Sequence, residues 1–299
     1  MTQISSYIDP MQHANHLSVW QENAYMLLSP NQEFKSKILP LFFDDINIYV
    51  EEIQAFRVQQ IGSLDKEHFT FIYLESKDSV TINCNDISND YLYLGCNCLT
   101  NSVSNQFVDC LIISLPKEKL FSFLLEPRKE LFFYSIDEKF RLNKNEKGIF
   151  SSLLHILKKD KKGNVDLEII LETIGNVIEK REIEKRSFLS DSYLFPKICK
   201  YILENYHLES LKISDICNKF KISRRTLQYI FENNLGIPPQ LYLRYIRLNF
   251  AGYFLKCNNN LSIQDVAFNV GMTHFSRFSK YFREFYLVSP SNFRVDYPH

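Results

Sequence analysis

ISDICNKFKISRRTLQYIFENN (213–234) and, about 50 residues further on, SIQDVAFNVGM (262–272) followed by THFSRFSKYFREF (273–285) decide how this chain is read. In the first stretch Ile216, Cys217 and Phe220 share one face of a short helix, with Ser214 placed as its cap. KIS (221–223) is a tight turn, and Ser223 is positioned to cap the next helix. That second helix turns Leu227, Ile230 and Phe231 inward and leaves Arg224, Arg225, Gln228 and Tyr229 outward. Two short helices around a tight turn, the second basic on its free face, form the helix-turn-helix pattern. The later stretch repeats it. Ser262 is the cap, Val266, Ala267 and Val270 are the buried face, and Gly271 sits where the turn needs a positive φ. Phe275, Phe278 and Phe282 are available for a core, while Thr273, His274, Ser276, Arg277 and Lys280 remain for solvent or DNA.

Between the two units lies PPQLYLRYIRLNFAGYFLK (238–256), with prolines suited to a first helical turn and Leu241, Ile246, Leu248 and Leu255 as apolar substance. A helix of about 18 residues spans roughly 27 Å. Two visits to the major groove on one face of a duplex are about 34 Å apart. A rod of that order can hold two reading heads near that separation without a second chain. Arg247 within it suits an internal ion pair or a phosphate contact better than base reading. Charge agrees: residues 193–299 hold 14 Lys/Arg and 7 Asp/Glu, a net of +7 in a chain of zero formal charge, which leaves −7 for the remainder. A basic third on an acidic two-thirds is expected where only one end meets phosphate.

Upstream, residues from about 42 to 115 read as short strands: HFTFIYLE (68–75), VTINC (80–84), YLYLG (91–95) and DCLIISL (109–115), separated by turn-prone stretches. These predict an antiparallel barrel or sandwich, with either a ligand cavity or a filled core. From about 117 to 185 the period becomes helical, as in IFSSLLHILKK (149–159), and KKDKKGN (158–164) reads as a solvated turn. The stripe Leu167, Leu171, Ile174 and Ile178 fits a dimer seam or a hairpin packed on its own domain equally well. The expected fold class is therefore α+β: an N-terminal antiparallel β-barrel or sandwich followed by helices over 1–185, a linker at 186–192, and an all-α domain at 193–299. In that last domain a long helix joins two helix-turn-helix units, at about 213–234 and 262–286.

The C-terminal motifs resemble the AraC/XylS family of transcription regulators. The likeness is carried by S-x-x-x-L-Q at 223–228, F-x-x-x-x-G-x-x-P at 231–239, YLRYIRLNFAGYFL (242–255), IQDVAFNVGM, FSRFSKYF and SPSNFR (289–294). SRRTLQ and GIPPQLYLRYIRLN look similar to the ethanolamine-operon activator subgroup. Leu287 stands where the family usually has glycine, and Cys217 where it usually has alanine. The resemblance implies base contacts from Arg225, Gln228 and Tyr229 in the first unit and from Ser276, Arg277 and Lys280 in the second. Arginine suits guanine and glutamine suits adenine. Ser223, Arg224, Thr273 and His274 suit phosphates. It also implies double-stranded DNA and RNA polymerase as partners, with a small-molecule effector or homodimerisation through the N-terminal domain.

An effector-independent regulator, or a cysteine-based alkyl-transfer adaptor, remains the alternative. Cys84, Cys96, Cys98 and Cys110 fall in the strand region, but C-x-C is a poor zinc knuckle, so buried inert thiols are expected. His13 and His16 could share a helix face without a third metal ligand. No P-loop, GxGxxG, GxSxG or HExxH occurs. Neither a cofactor, a metal nor catalysis is expected. Seven cysteines, no apolar run of membrane-span length and no basic-then-apolar leader lead to the expectation of a cytoplasmic protein without a membrane partner.

Overall fold

A computed structural model describes residues 4–76, 80–105, 107–124, 136–159, 166–180, 194–258 and 260–295. The expected linker at 186–192 and most of the expected turn at 158–164 lie outside them. The N-terminal part is an antiparallel sandwich. One sheet has seven strands in the order β1 (Ser5–Tyr7), β3 (Lys35–Phe43), β4 (Ile46–Gln54), β11 (Val108–Pro116), β6 (His68–Glu75), β9 (Tyr91–Cys96), β12 (Ile136–Arg141). The other has five: β2 (Trp20–Leu27), β5 (Val58–Leu64), β10 (Leu99–Ser104), β7 (Val80–Ile82), β8 (Asn85–Ile87).

Strands begin well before residue 42, and β12 interrupts the region expected to be helical. β2 is broken by a register shift between Gln21 and Ala24, which hides its alternation. β3 contains Pro40, which argues against a central strand, yet among the described residues β1 pairs with 36–38 and stops short of Pro40. β12, IDEKFR, buries only Ile136 and Phe140 and runs along the sheet margin beside β9.

Side-chain alternation explains the layers. On β6, Phe69, Phe71 and Tyr73 face outward onto two helices, α3 (Lys144–Lys159) and α4 (Leu167–Glu179), and meet Phe150, Leu154, Leu157, Ile174 and Ile178. Ile72 and Leu74 face the sandwich interior with Tyr25, Tyr49, Val58 and Ile112. A strand buried on both faces reads as a continuous apolar run, as HFTFIYLE does. Each such side chain contributes about 1.5–3 kcal/mol by burial. The 167–178 stripe therefore packs on its own sheet, with Ile174 and Ile178 fully buried there.

Two short helices, α1 (Pro10–Ala14) and α2 (Lys117–Phe121), flank the sheets. The C-terminal part is helical: α5 (Leu194–Asn205), α6 (Ile213–Phe220), α7 (Arg224–Leu235), α8 (Pro239–Cys257), α9 (Ile263–Asn269), α10 (Phe275–Tyr286) and α11 (Pro290–Val295). It sits on the outer face of the five-stranded sheet. Met26, Leu28 and Ile61 pack there with Phe195, Ile198, Ile202 and Phe231, so the sandwich and the helical part share a core.

Candidate nucleic-acid interface

The first unit is built from α6 and α7. Ile216 and Cys217 of α6 are buried, and Lys221 closes the helix in a left-handed conformation at φ 54°. Ser214 does not cap α6, contrary to expectation, because it is the second residue of the helix, two beyond the cap position at Lys212. Instead the Asp215 carboxylate accepts from the Lys212 amide at 2.8 Å. Ser223 does cap α7, its Oγ accepting from the Thr226 amide at 3.0 Å. Leu227 and Phe231 are fully buried, whereas Arg224 and Arg225 are exposed and Tyr229 is 64% exposed. Gln228 is half-buried and its Nε2 donates to Glu232 Oε1 at 2.6 Å. A carboxylate thus stands on the outward face beside the amide, a residue the sequence reading passed over. Its i, i+4 spacing from Gln228 was the available signal.

The second unit is built from α9 and α10. Ser262 and Asp265 form a reciprocal capping box, with the Asp265 amide donating to Ser262 Oγ and the Ser262 amide to Asp265, both at 3.0 Å. The Ser262 hydroxyl, donating to Asp265 Oδ2 at 2.6 Å, and then the Ser262 amide hold the Asp265 carboxyl below its ordinary pKa. Gly271 adopts φ 71° as expected. Phe278 and Phe282 form the core with Phe285, but Phe275 is 41% exposed, which corrects its assignment to the core. It is the first residue of α10, a turn ahead of the face that packs. Ser276, Arg277 and Lys280 are exposed, and Glu284 lies 3.9 Å from Lys280. His274 occupies the cap position of α10, and no described side chain bonds the amides there. Thr273 Oγ1 donates to Glu209 Oε1 at 2.5 Å.

α8 is the rod, 19 residues long. Among the described residues Arg247 makes no ion pair: its Nε donates to the Tyr206 carbonyl at 2.9 Å and its second amino group to the Leu208 carbonyl at 2.8 Å. Burial draws its pKa down, with Glu209 opposing. Arg244 lies over the Tyr281 ring, 3.9 Å from the centroid, and ties the rod to α10. The outward residues of both units therefore stand on two separate 12-residue helices braced against one rod.

Cys96, Cys98 and Cys110 are buried, and Cys84 is exposed, against the expectation that all four are buried. Desolvation raises each of these thiols, Cys98 to about 12. A raised pKa is the reverse of what a reactive thiol needs. Among the described residues no group of three or more His, Cys, Asp or Glu is placed to hold a metal ion, and no helix is long and apolar enough to cross a membrane. His13 is fully buried instead, bonded to Glu51 and to Ser36 Oγ at 2.8 Å.

Two helix-turn-helix units on a rigid rod define a DNA-binding domain. Residues 216–295 match the family described as a helix-turn-helix domain. The chain is 33% identical over 97 residues to the Msm operon regulatory protein of Streptococcus mutans, covering 32% of this chain and 34% of that protein. It is 35% identical over 94 residues to the raffinose operon transcriptional regulatory protein RafR of Pediococcus pentosaceus, covering 31% and 33%. The matches thus span about a third of these relatives. Among solved structures, ToxT from Vibrio cholerae O395 is 16% identical with a TM-score of 0.35, over 85% of this chain and 99% of that one. Residues 216–295 thus form a helix-turn-helix domain.

Proposed function

We propose that the whole chain is a sequence-specific transcription regulator, most simply an activator, organised as a sensing or dimerising domain at 1–185, a linker at 186–192 and a DNA-binding domain at 193–299. The observation that carries this reading is the pair of exposed basic faces, Arg224 and Arg225 on α7 and Arg277 and Lys280 on α10, each on a helix that buries its opposite side. Arg225, Gln228 and Tyr229 would read bases in one major groove, and Ser276, Arg277 and Lys280 in the next. Gln228 would exchange its Glu232 partner for a base edge. Arg224, Ser223, Thr273 and His274 would meet phosphates, and the uncapped start of α10 offers free amides for one. RNA polymerase would be the partner that turns binding into transcription. The chemistry of SRRTLQ and GIPPQLYLRYIRLN supports a place near the ethanolamine-operon activator subgroup, without implying its ligand. Catalysis has no support in the raised thiols.

A cavity of about 50 Å³ between the two sheets is where an effector would enter. Trp20, Tyr25, Glu51, Gln60, Thr100 and Ser102 are among its walls. It is smaller than most metabolites, so an effector would bind by parting the sheets and shifting the population of DNA-competent arrangements. Genome-wide mapping of bound DNA tests the main reading: discrete sites sharing a two-part motif support it, and an absence of enriched sites refutes it. A thermal-shift screen tests the effector, which raises the melting temperature by mass action.

A further inference from the structure

Two neighbouring reversals of the sandwich each grip one recognition helix. The segment after β2 and the β4–β5 turn lie side by side, joined by the Leu28 amide donating to the Arg57 carbonyl at 2.9 Å. Arg57, held in a left-handed conformation at φ 55°, directs its guanidinium to the Leu235 carbonyl in the last turn of α7. A cation there meets an unpaired carbonyl and the negative end of the helix. Three residues beyond Leu28, Asn31 has φ 53° and its amide donates to the Phe285 carbonyl at 2.8 Å, in the last turn of α10. Between these contacts the rod itself is held. Asn249, 3% exposed in the middle of α8, accepts from the Leu27 amide at 2.9 Å and donates to the Leu27 carbonyl at 3.0 Å, pairing with the strand as a neighbouring strand would.

One sheet edge thus touches the first reader, the rod and the second reader within residues 27–31 and 57. Each contact uses the C-terminal carbonyls of a recognition helix or the buried side of the rod, so the outward faces stay free. We propose that this edge is a calliper that sets the separation of α7 and α10, with Arg57 as the positioning residue for the first reader, Asn249 for the rod and the Asn31 amide for the second reader. Hydrogen bonds are short and directional, so they fix register where apolar packing alone tolerates sliding. The geometric claim stands without DNA; its consequence for binding rests on the reading of α7 and α10 as DNA readers.

The test uses the full chain with Cys84→Ser and Cys257→Ser and spin labels at Asn233→Cys and Glu284→Cys, both exposed positions outside the proposed contacts. Electron–electron resonance without DNA should give one narrow distance distribution. Arg57→Ala should at least double its width, and Arg57→Lys, which keeps a cation at the helix end, should restore it. Asn249→Leu, checked for folding by circular dichroism, should broaden it as well. In gel shifts, duplexes carrying two half-sites at spacings of roughly 9–12 base pairs should show a sharp optimum for the parent. The optimum should be lost in Arg57→Ala, with about tenfold weaker binding at the best spacing and unchanged binding to a single half-site. Distributions equally narrow in the parent and both loss-of-contact variants overturn the calliper. Broadening in the variants with no duplex bound by either chain supports the calliper and refutes the DNA reading instead.

Discussion

The two helix-turn-helix units share a backbone and differ in chemistry. Both recognition helices have 12 residues, and both end on a left-handed residue: Gly236 at φ 63° and Leu287 at φ 62°. In the first unit each end carries the side chain that its geometry favours, Ser223 at the start and glycine at the finish. In the second, His274 starts the helix without a side-chain cap and a leucine occupies the left-handed position. Yet Phe278, Phe282 and Phe285 are as well buried as Leu227, Phe231 and Leu235. Packing against the rod holds the second unit in a conformation its local residues do not prefer. That frees the start of α10, where open amides can meet an anion.

The units also differ in how charge anchors them to the sandwich, and the largest expected effect tests this. Lys256, beside the second unit, pairs with Asp9 at 3.1 Å with both side chains buried, whereas Lys200, beside the first, pairs with the exposed Glu22 at 2.8 Å. Lys256→Met should destabilise the chain by about 3 kcal/mol, because it removes the counter-charge of a buried carboxylate that keeps only the Met11 and Gln12 amides. Lys200→Met should cost under about 1 kcal/mol. Equal losses in chemical denaturation would erase the distinction. Next in size, Arg225→Ala and Arg277→Ala should each lose about 1–3 kcal/mol of site discrimination, each at its own half of the motif. Competition binding with half-site variants measures it, and loss at the wrong half reassigns the readers.

Smaller effects sharpen the contrast at the helix ends. Ser223→Ala should lower stability by about 1 kcal/mol, while His274→Ser should raise it by roughly 0.5–1 kcal/mol by supplying the missing cap. Smallest of all, Leu287→Gly should stabilise by about 0.5 kcal/mol, the relief of left-handed strain being partly offset by the added freedom of the unfolded chain. Gly236→Ala should do the reverse. Thermal melts of the four variants check these signs.

The same contrast explains what could be read in advance. In the C-terminal third, apolar residues at helical spacing mark the buried face directly, so the exposed partners Arg225 and Arg277 could be named from the sequence, and the bend at Gly271 with them. Where a short helix begins is less visible: Ser214 lies two residues past the cap position, and Phe275, the first residue of α10, lies a turn ahead of the packed face, because periodicity marks a face of a helix but not its end. In the sandwich, strands buried on both faces gave a clear signal, whereas β2 with its bulge, β3 with Pro40 and the marginal β12 did not. The contacts that join the two parts were not legible at all. Asn249, Arg57 and Asn31 are polar residues whose partners are backbone atoms far away in the chain, and no local pattern announces such a partner.

Footprinting with a major-groove methylation probe on a bound duplex bears most directly on the two-headed arrangement. Two protected windows should appear about 10 base pairs apart on one side of the helix, the first vanishing in Arg225→Ala and the second in Arg277→Ala. A single window, or two on opposite sides of the duplex, would contradict it.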